Sequence, residues 1–109
     1  TNYEIDLNNG IKIIQIIGNN FSNKNYSALI NHDTGFNLSI LKGKQGLIED
    51  LVFDKPTILF SQKGNWKVKI EEEEFNINSK DTFSLPLNTK VSISIDNNED
   101  CFLNCVSKA

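Results

Sequence analysis

The 109-residue chain contains no arginine and no methionine, and it has only one histidine, one tryptophan, two prolines and two cysteines. Each shortage excludes something. Without arginine there is no planar fork for bidentate capture of phosphate or carboxylate, so an anionic ligand would rest on lysine, backbone amides or hydroxyls. The eleven basic residues are all lysine and are scattered over a chain of net charge -3, which leaves no stripe to track a nucleic-acid backbone. Nucleic acid is excluded as a partner. No apolar run approaches the roughly 20 residues that cross a bilayer, and TNYEIDLNNG lacks the basic and apolar regions of a signal peptide. The expectation is a cytoplasmic protein with no membrane partner.

Cysteine is scarce and awkwardly spaced. In CFLNCVS, Cys101 and Cys105 share one face of a strand about 13 Å apart at roughly 3.3 Å per residue, too far for a disulfide. Without nearby histidine they make a poor zinc site, so both read as reduced, buried structural thiols. The single histidine, His32, rules out any site that needs two. Its setting in the polar turn NHDTG suits a surface role better than catalysis.

What is present is period-two alternation over a length suited to one domain spanning 1–109. Residues 1–25 read as an N-terminal strand and loop, with the strand at Ile11–Ile17. Its isoleucines occupy both faces, so Ile11, Ile13, Ile14, Ile16 and Ile17 are the expected contacts of a homodimer. Strands are predicted at Tyr26–Ile30, Gly35–Leu41 and Leu47–Phe53, with KGKQG (42–46) as a turn. Further strands follow at Thr57–Gln62, Asn65–Ile70, Phe75–Ile77, Thr82–Leu85, Thr89–Ile95 and Cys101–Ser107. The four glutamates Glu71–Glu74 read as a solvated hairpin tip, and Asp96–Asp100 as a polar turn. About ten short strands and no helical period imply an all-β barrel or double-sheet sandwich.

The run from about Gly35 to Ser107 carries a family pattern. Gly64 precedes a strand, Lys80-Asp81 stands where that pattern has a Gly-Asp turn, Pro86 is in register, and Asn88 replaces a second glycine. On these residues the chain resembles the cupin superfamily (RmlC-like jelly rolls), whose fold is a double-stranded β-helix. Within it, FNLSIL, KPTILFSQKG and DTFSLPLNTKVSISI are similar to the second, metal-free cupin domain of type I phosphomannose isomerases. The resemblance implies a metal-binding position at Val91, another at Thr57, and a His-x-His within Ile48–Phe53. This sequence holds no histidine at any of them, so no metal and no cofactor are expected.

The remaining candidates for a pocket are Glu49, Trp66, Lys90 and His32. Neighbouring strand residues point to opposite faces: the preferred reading leaves Glu49 exposed, and the alternative, with Glu49 in phase with Leu47, Leu51 and Phe53, brings it to the barrel mouth. Trp66 alternates with Val68 and Ile70, which makes it core, with a sugar-stacking platform as the other possibility. The expected function is a metal-free, non-catalytic cupin that binds a small polar or carbohydrate-like ligand or serves as an assembly module. The alternative is a metal-independent isomerase, epimerase or lyase acting on a sugar or small acid, with Glu49, His32 or Lys90 moving the proton.

Overall fold

The computed structural model describes residues 2–6, 10–17 and 35–108, with side chains from 10–14 and 35–108. The described chain is all strand and turn. Eight strands follow in order: β1 (Asn2–Asp6), β2 (Ile11–Ile17), β3 (Phe36–Phe53), β4 (Thr57–Lys63), β5 (Trp66–Ile70), β6 (Glu73–Ile77), β7 (Thr82–Leu85) and β8 (Thr89–Lys108). The strand expected at Tyr26–Ile30 lies outside the described residues, as does His32.

β3 and β8 organise the fold. They pair antiparallel from Phe36↔Lys108 to Phe53↔Thr89 and run through both arms of one eight-stranded sheet. At one end, residues 36–43 and 101–108 lie in the order β1-β2-β3-β8-β4-β7; at the other, β8 also pairs with β5, which pairs with β6. The two segments read as turns from their polarity, 42–46 and 96–100, are corners inside these long strands. Register shifts between Gly43 and Gln45, where β8 uses more residues than β3. Such a bulge bends a strand and increases its twist without ending it. Gly43 permits the corner, because a Cβ there would lie 2.6 Å from the Gly10 carbonyl oxygen.

The core follows from alternation on both arms. Val91, Ile93 and Ile95 point inward from one half of β8, and Cys101, Leu103 and Cys105 from the other. They meet Ile11, Ile13, Leu41, Ile48 and Trp66 in one continuous cluster. Two of the isoleucines expected at a subunit contact are therefore fully buried within the chain itself. Of that set, Ile14 is half-buried, and the side chains of Ile16 and Ile17 lie outside the description.

Candidate functional site

A second bulge, between Ile48 and Leu51, decides which side chains reach the interior. Asp50 adopts a left-handed backbone there (φ 60°), which inserts an extra step into the alternation. Ile48 and Leu51 consequently both point inward, while Leu47, Glu49 and Asp50 are exposed. Of the two readings of Glu49 the structure shows the exposed one; the entry into the barrel mouth fails because the bulge breaks the alternation between Glu49 and Leu51. Inside, Leu51 faces Val91 across the strand pair, and Phe53 and Thr57 lie along the same wall, all four at most 2% exposed.

Polar groups that point inward are tied back to the chain. Asn37 Nδ2 donates to Ser107 Oγ (3.4 Å) and to the Lys108 carbonyl (3.3 Å), and Ser107 Oγ donates to the same carbonyl (3.1 Å). Thr57 Oγ1 donates to the Lys55 carbonyl (2.8 Å), and Ser61 Oγ to that of Gly64 (2.6 Å). These bonds remove the penalty of burying a hydroxyl or amide and leave the groups committed. Trp66 is fully buried, and its Nε1 donates to the Lys63 carbonyl (3.3 Å), so no ring face is open for stacking a sugar.

Neither cysteine is in a disulfide, and both are buried. Burial pushes the Cys105 thiol up to about 12. Burial also raises Cys101, opposed by a hydrogen bond from Asn97 Nδ2 (3.2 Å to Sγ). Both are protonated and unreactive near neutrality. Among the described residues no group of three His, Cys, Asp or Glu is placed to hold a metal ion.

Two predicted residues do meet, though on the outside. Glu49 and Lys90 line an open depression of about 510 Å³ together with Asp50, Lys69, Glu71 and Ser92. The sequence reading also missed a feature of the first arm. On β3, Asn37, Ser39 and Leu41 point inward while Phe36, Leu38 and Ile40 point outward; on β4, Ile58 and Phe60 do the same. This places apolar side chains on the outer face, where Phe36 and Ile58 are 43% and 50% exposed. In FNLSIL and TILFS the inward phase carries Asn37, Ser39, Thr57 and Ser61 and the outward phase is the apolar one, so alternation read alone points the wrong phase at the core.

No protein-family model matches the sequence, and no curated protein matches it. Solved structures do. An RmlC-like cupin from Shewanella frigidimarina superposes with a TM-score of 0.69 at 12% identity, over 99% of this chain and 84% of that one. The fold is that of the cupins. The EutQ protein of Clostridium difficile is similar over 96% of this chain and 75% of its own (TM-score 0.69, 11% identity). A protein of unknown function from Vibrio parahaemolyticus covers 96% in both directions at 15% identity and a TM-score of 0.64. Gly64, Lys80 and Asn88 all take left-handed conformations (φ 92°, 74° and 59°), the region that favours glycine, and the last two are the residues that the sequence resemblance sets against glycine. The residues at the positions implied for a metal, Val91, Thr57 and the stretch Ile48–Phe53, do not fit one. The inward side chains Ile48, Leu51, Phe53 and Val91 offer no donor, Glu49 and Asp50 are exposed on the outer side, and the threonine hydroxyl is committed to Lys55.

Proposed function

We propose that this chain is a non-catalytic, metal-free cupin-fold module whose work is assembly, carried on its outer surface. The observation behind this is the packed wall of Leu51, Phe53 and Val91, drawn from the stretch Ile48–Phe53 and the position Val91 where the resemblance implies metal ligands. A wall of this kind supplies stability and no convergent polar groups, whereas a binding or catalytic site needs a concavity with a few well-placed ones. The apolar outer face of the first arm adds support, since exposed apolar patches on soluble domains mark contact surfaces. Buried, protonated thiols agree with a cytoplasmic home. The test is sedimentation equilibrium combined with thermal unfolding in zinc, manganese or iron(II). Self-association with an unchanged midpoint is the expected result; a metal-dependent rise of several degrees in a monomer would overturn it.

A second reading has one observation in its favour: Glu49 and Lys90 share a depression with further charged groups. A carboxylate beside an amine is the pairing that proton transfer on a sugar or small acid would use. Both side chains are open to water there, which weakens their action on a bound molecule. Isothermal titration with a panel of aldoses, sugar phosphates and small hydroxy acids distinguishes the two. Binding abolished by Glu49→Gln and Lys90→Ala would move the assignment to this depression.

A further inference from the structure

The outward-facing residues of the second half of β8 form a short series, Asp100, Phe102, Asn104, Val106 and Lys108, between the buried Cys101, Leu103, Cys105 and Ser107. Asn104 is its midpoint. Its register partners are Ile40 on β3 and Phe60 on β4, so the amide lies in the middle of an apolar row. Its Oδ1 is buried and has no hydrogen-bond partner among the described residues. That oxygen is covered by the chain's own atoms, and leaving it unpaired costs about 1–3 kcal/mol, so turning the amide outward to a donor beyond the chain is favoured.

Resting on the assembly reading above, we infer that this face is the interface of a two-fold dimer, with Asn104 on the axis. The series is self-complementary about its centre. A two-fold axis beside Asn104, parallel to the sheet and perpendicular to β8, lays one β8 antiparallel over its copy. Each Asn104 then donates Nδ2 to the Oδ1 of the other, which satisfies both oxygens at once. Two residues away, Phe102 meets the partner's Val106. Beside Val106 lies a depression of about 410 Å³, also lined by Phe36, Ile58 and Leu85, of a size to receive an aromatic ring. Four residues away, Asp100 meets the partner's Lys108, and Lys108 the partner's Asp100. Acid stands at one end of the series and base at the other, so the antiparallel arrangement is attractive at both ends. A parallel stacking would oppose like charges.

The size suits a stable pair. Five strands from β2 to β7 at roughly 4.8 Å spacing, over about eight residues of strand rise, give a face on the order of 600 Å² in projection. The accessible area of such a corrugated face is larger, and stable interfaces bury about 800 Å² per partner. Aligned sheets about 10 Å apart pack face to face in this way inside β-sandwiches. The rim is polar, with Lys42, Gln62, Ser84 and Lys108 exposed or half-buried around the apolar centre, as at other protein contacts.

The experiment is sedimentation equilibrium at two salt concentrations on the intact chain and on four variants: Asp100→Lys, Lys108→Asp, the double exchange, and Asn104→Asp. Asp100 is half-exposed and lies 4.0 Å from Lys42 of its own chain, a contact that contributes little to folding, so the exchanges leave the fold intact. A dimer is expected. Each single exchange weakens it at least tenfold, most at low salt, and the double exchange restores it to within about threefold. Asn104→Asp, which sets two carboxylates together on the axis, also weakens it at least tenfold. A monomer at high micromolar concentration overturns both this interface and the assembly reading. A dimer indifferent to all four variants overturns only the interface, leaving assembly through another surface.

Discussion

Val91 on β8 is the register partner of Leu51 on β3, and the two side chains close against each other inside the barrel at 1% and 0% exposure. Their contact occupies a place that the cupin pattern gives to metal ligands. Leu51→Ala is therefore expected to cost about 3 kcal/mol, within the range for a buried leucine. Urea unfolding followed by tryptophan fluorescence measures it, with Trp66 as the single reporter. A loss below about 1 kcal/mol would mean that the wall is loosely packed and the interior accessible after all.

Gly64 and Cys101 are in close approach. Gly64 adopts φ 92°, and a Cβ there would collide with both Sγ and Cβ of Cys101. Gly64→Ala is expected to destabilise by more than about 2 kcal/mol, from backbone strain and overlap together. Combined with Cys101→Ala the loss should shrink without vanishing, because the strain remains when the sulfur has gone. Thermal unfolding of the two single variants and the double variant gives the coupling.

Lys80 and Asn88 differ in how well they suit the same backbone region. Asparagine tolerates a left-handed conformation and lysine does so less readily. Lys80→Gly is expected to raise stability by up to about 1 kcal/mol, offset in part by the freer unfolded chain and by loss of the bond from Nζ to the Gln62 carbonyl (2.8 Å). Asn88→Gly should change stability by a few tenths of a kcal/mol only. Chemical denaturation of both variants checks the contrast, and equal effects at the two positions would refute it.

The buried Cys105 thiol gives a pH signature. Its folded value is pushed up to about 12 from an ordinary value of 9.0, so above pH 9 the folded chain holds a proton that the unfolded chain has released. Stability contributed by this group is complete below pH 9 and is lost as pH rises from 9 towards 12. Lysine and tyrosine titrate in the same range, so the expected outcome is a difference. Between pH 9 and 11 the unfolding midpoint falls more steeply for the native chain than for Cys105→Val. Parallel slopes would show that the thiol does not titrate with unfolding.

Most strands were legible in the sequence because β4, β5 and the halves of β3 and β8 alternate over at least four residues between turn-forming clusters. The corners were not. KGKQG and Asp96–Asp100 are polar enough to read as turns, yet they continue the ladder, because composition does not report whether a bulge ends a strand or bends it. The same limit left Glu49 with two readings, because the phase of its stretch depends on the left-handed step at Asp50. The isoleucines of β2 failed differently: a strand apolar on both faces announces two contacts without saying which is internal, and the barrel took Ile11 and Ile13. The inward phase of Val91, Ile93 and Ile95, by contrast, could be read from alternation alone, because no extra residue interrupts that part of β8.

The antiparallel pairing of β3 with β8 sets an order of events during folding. Phe53 and Thr89 are joined through the compact β4–β7 segment, whereas Phe36 and Lys108, at the far end of the same ladder, are twice as distant along the chain. Closing the shorter loop first loses less chain entropy, and each later pair is then brought near by the one before it. The ladder should zip from Phe53↔Thr89 outward, slowly as a whole because its contacts span long stretches of sequence. Residues 36–43 and 101–108, which complete the first arm and its apolar outer face, are then the last to be secured, so a newly made chain would complete that face only at the end of its folding.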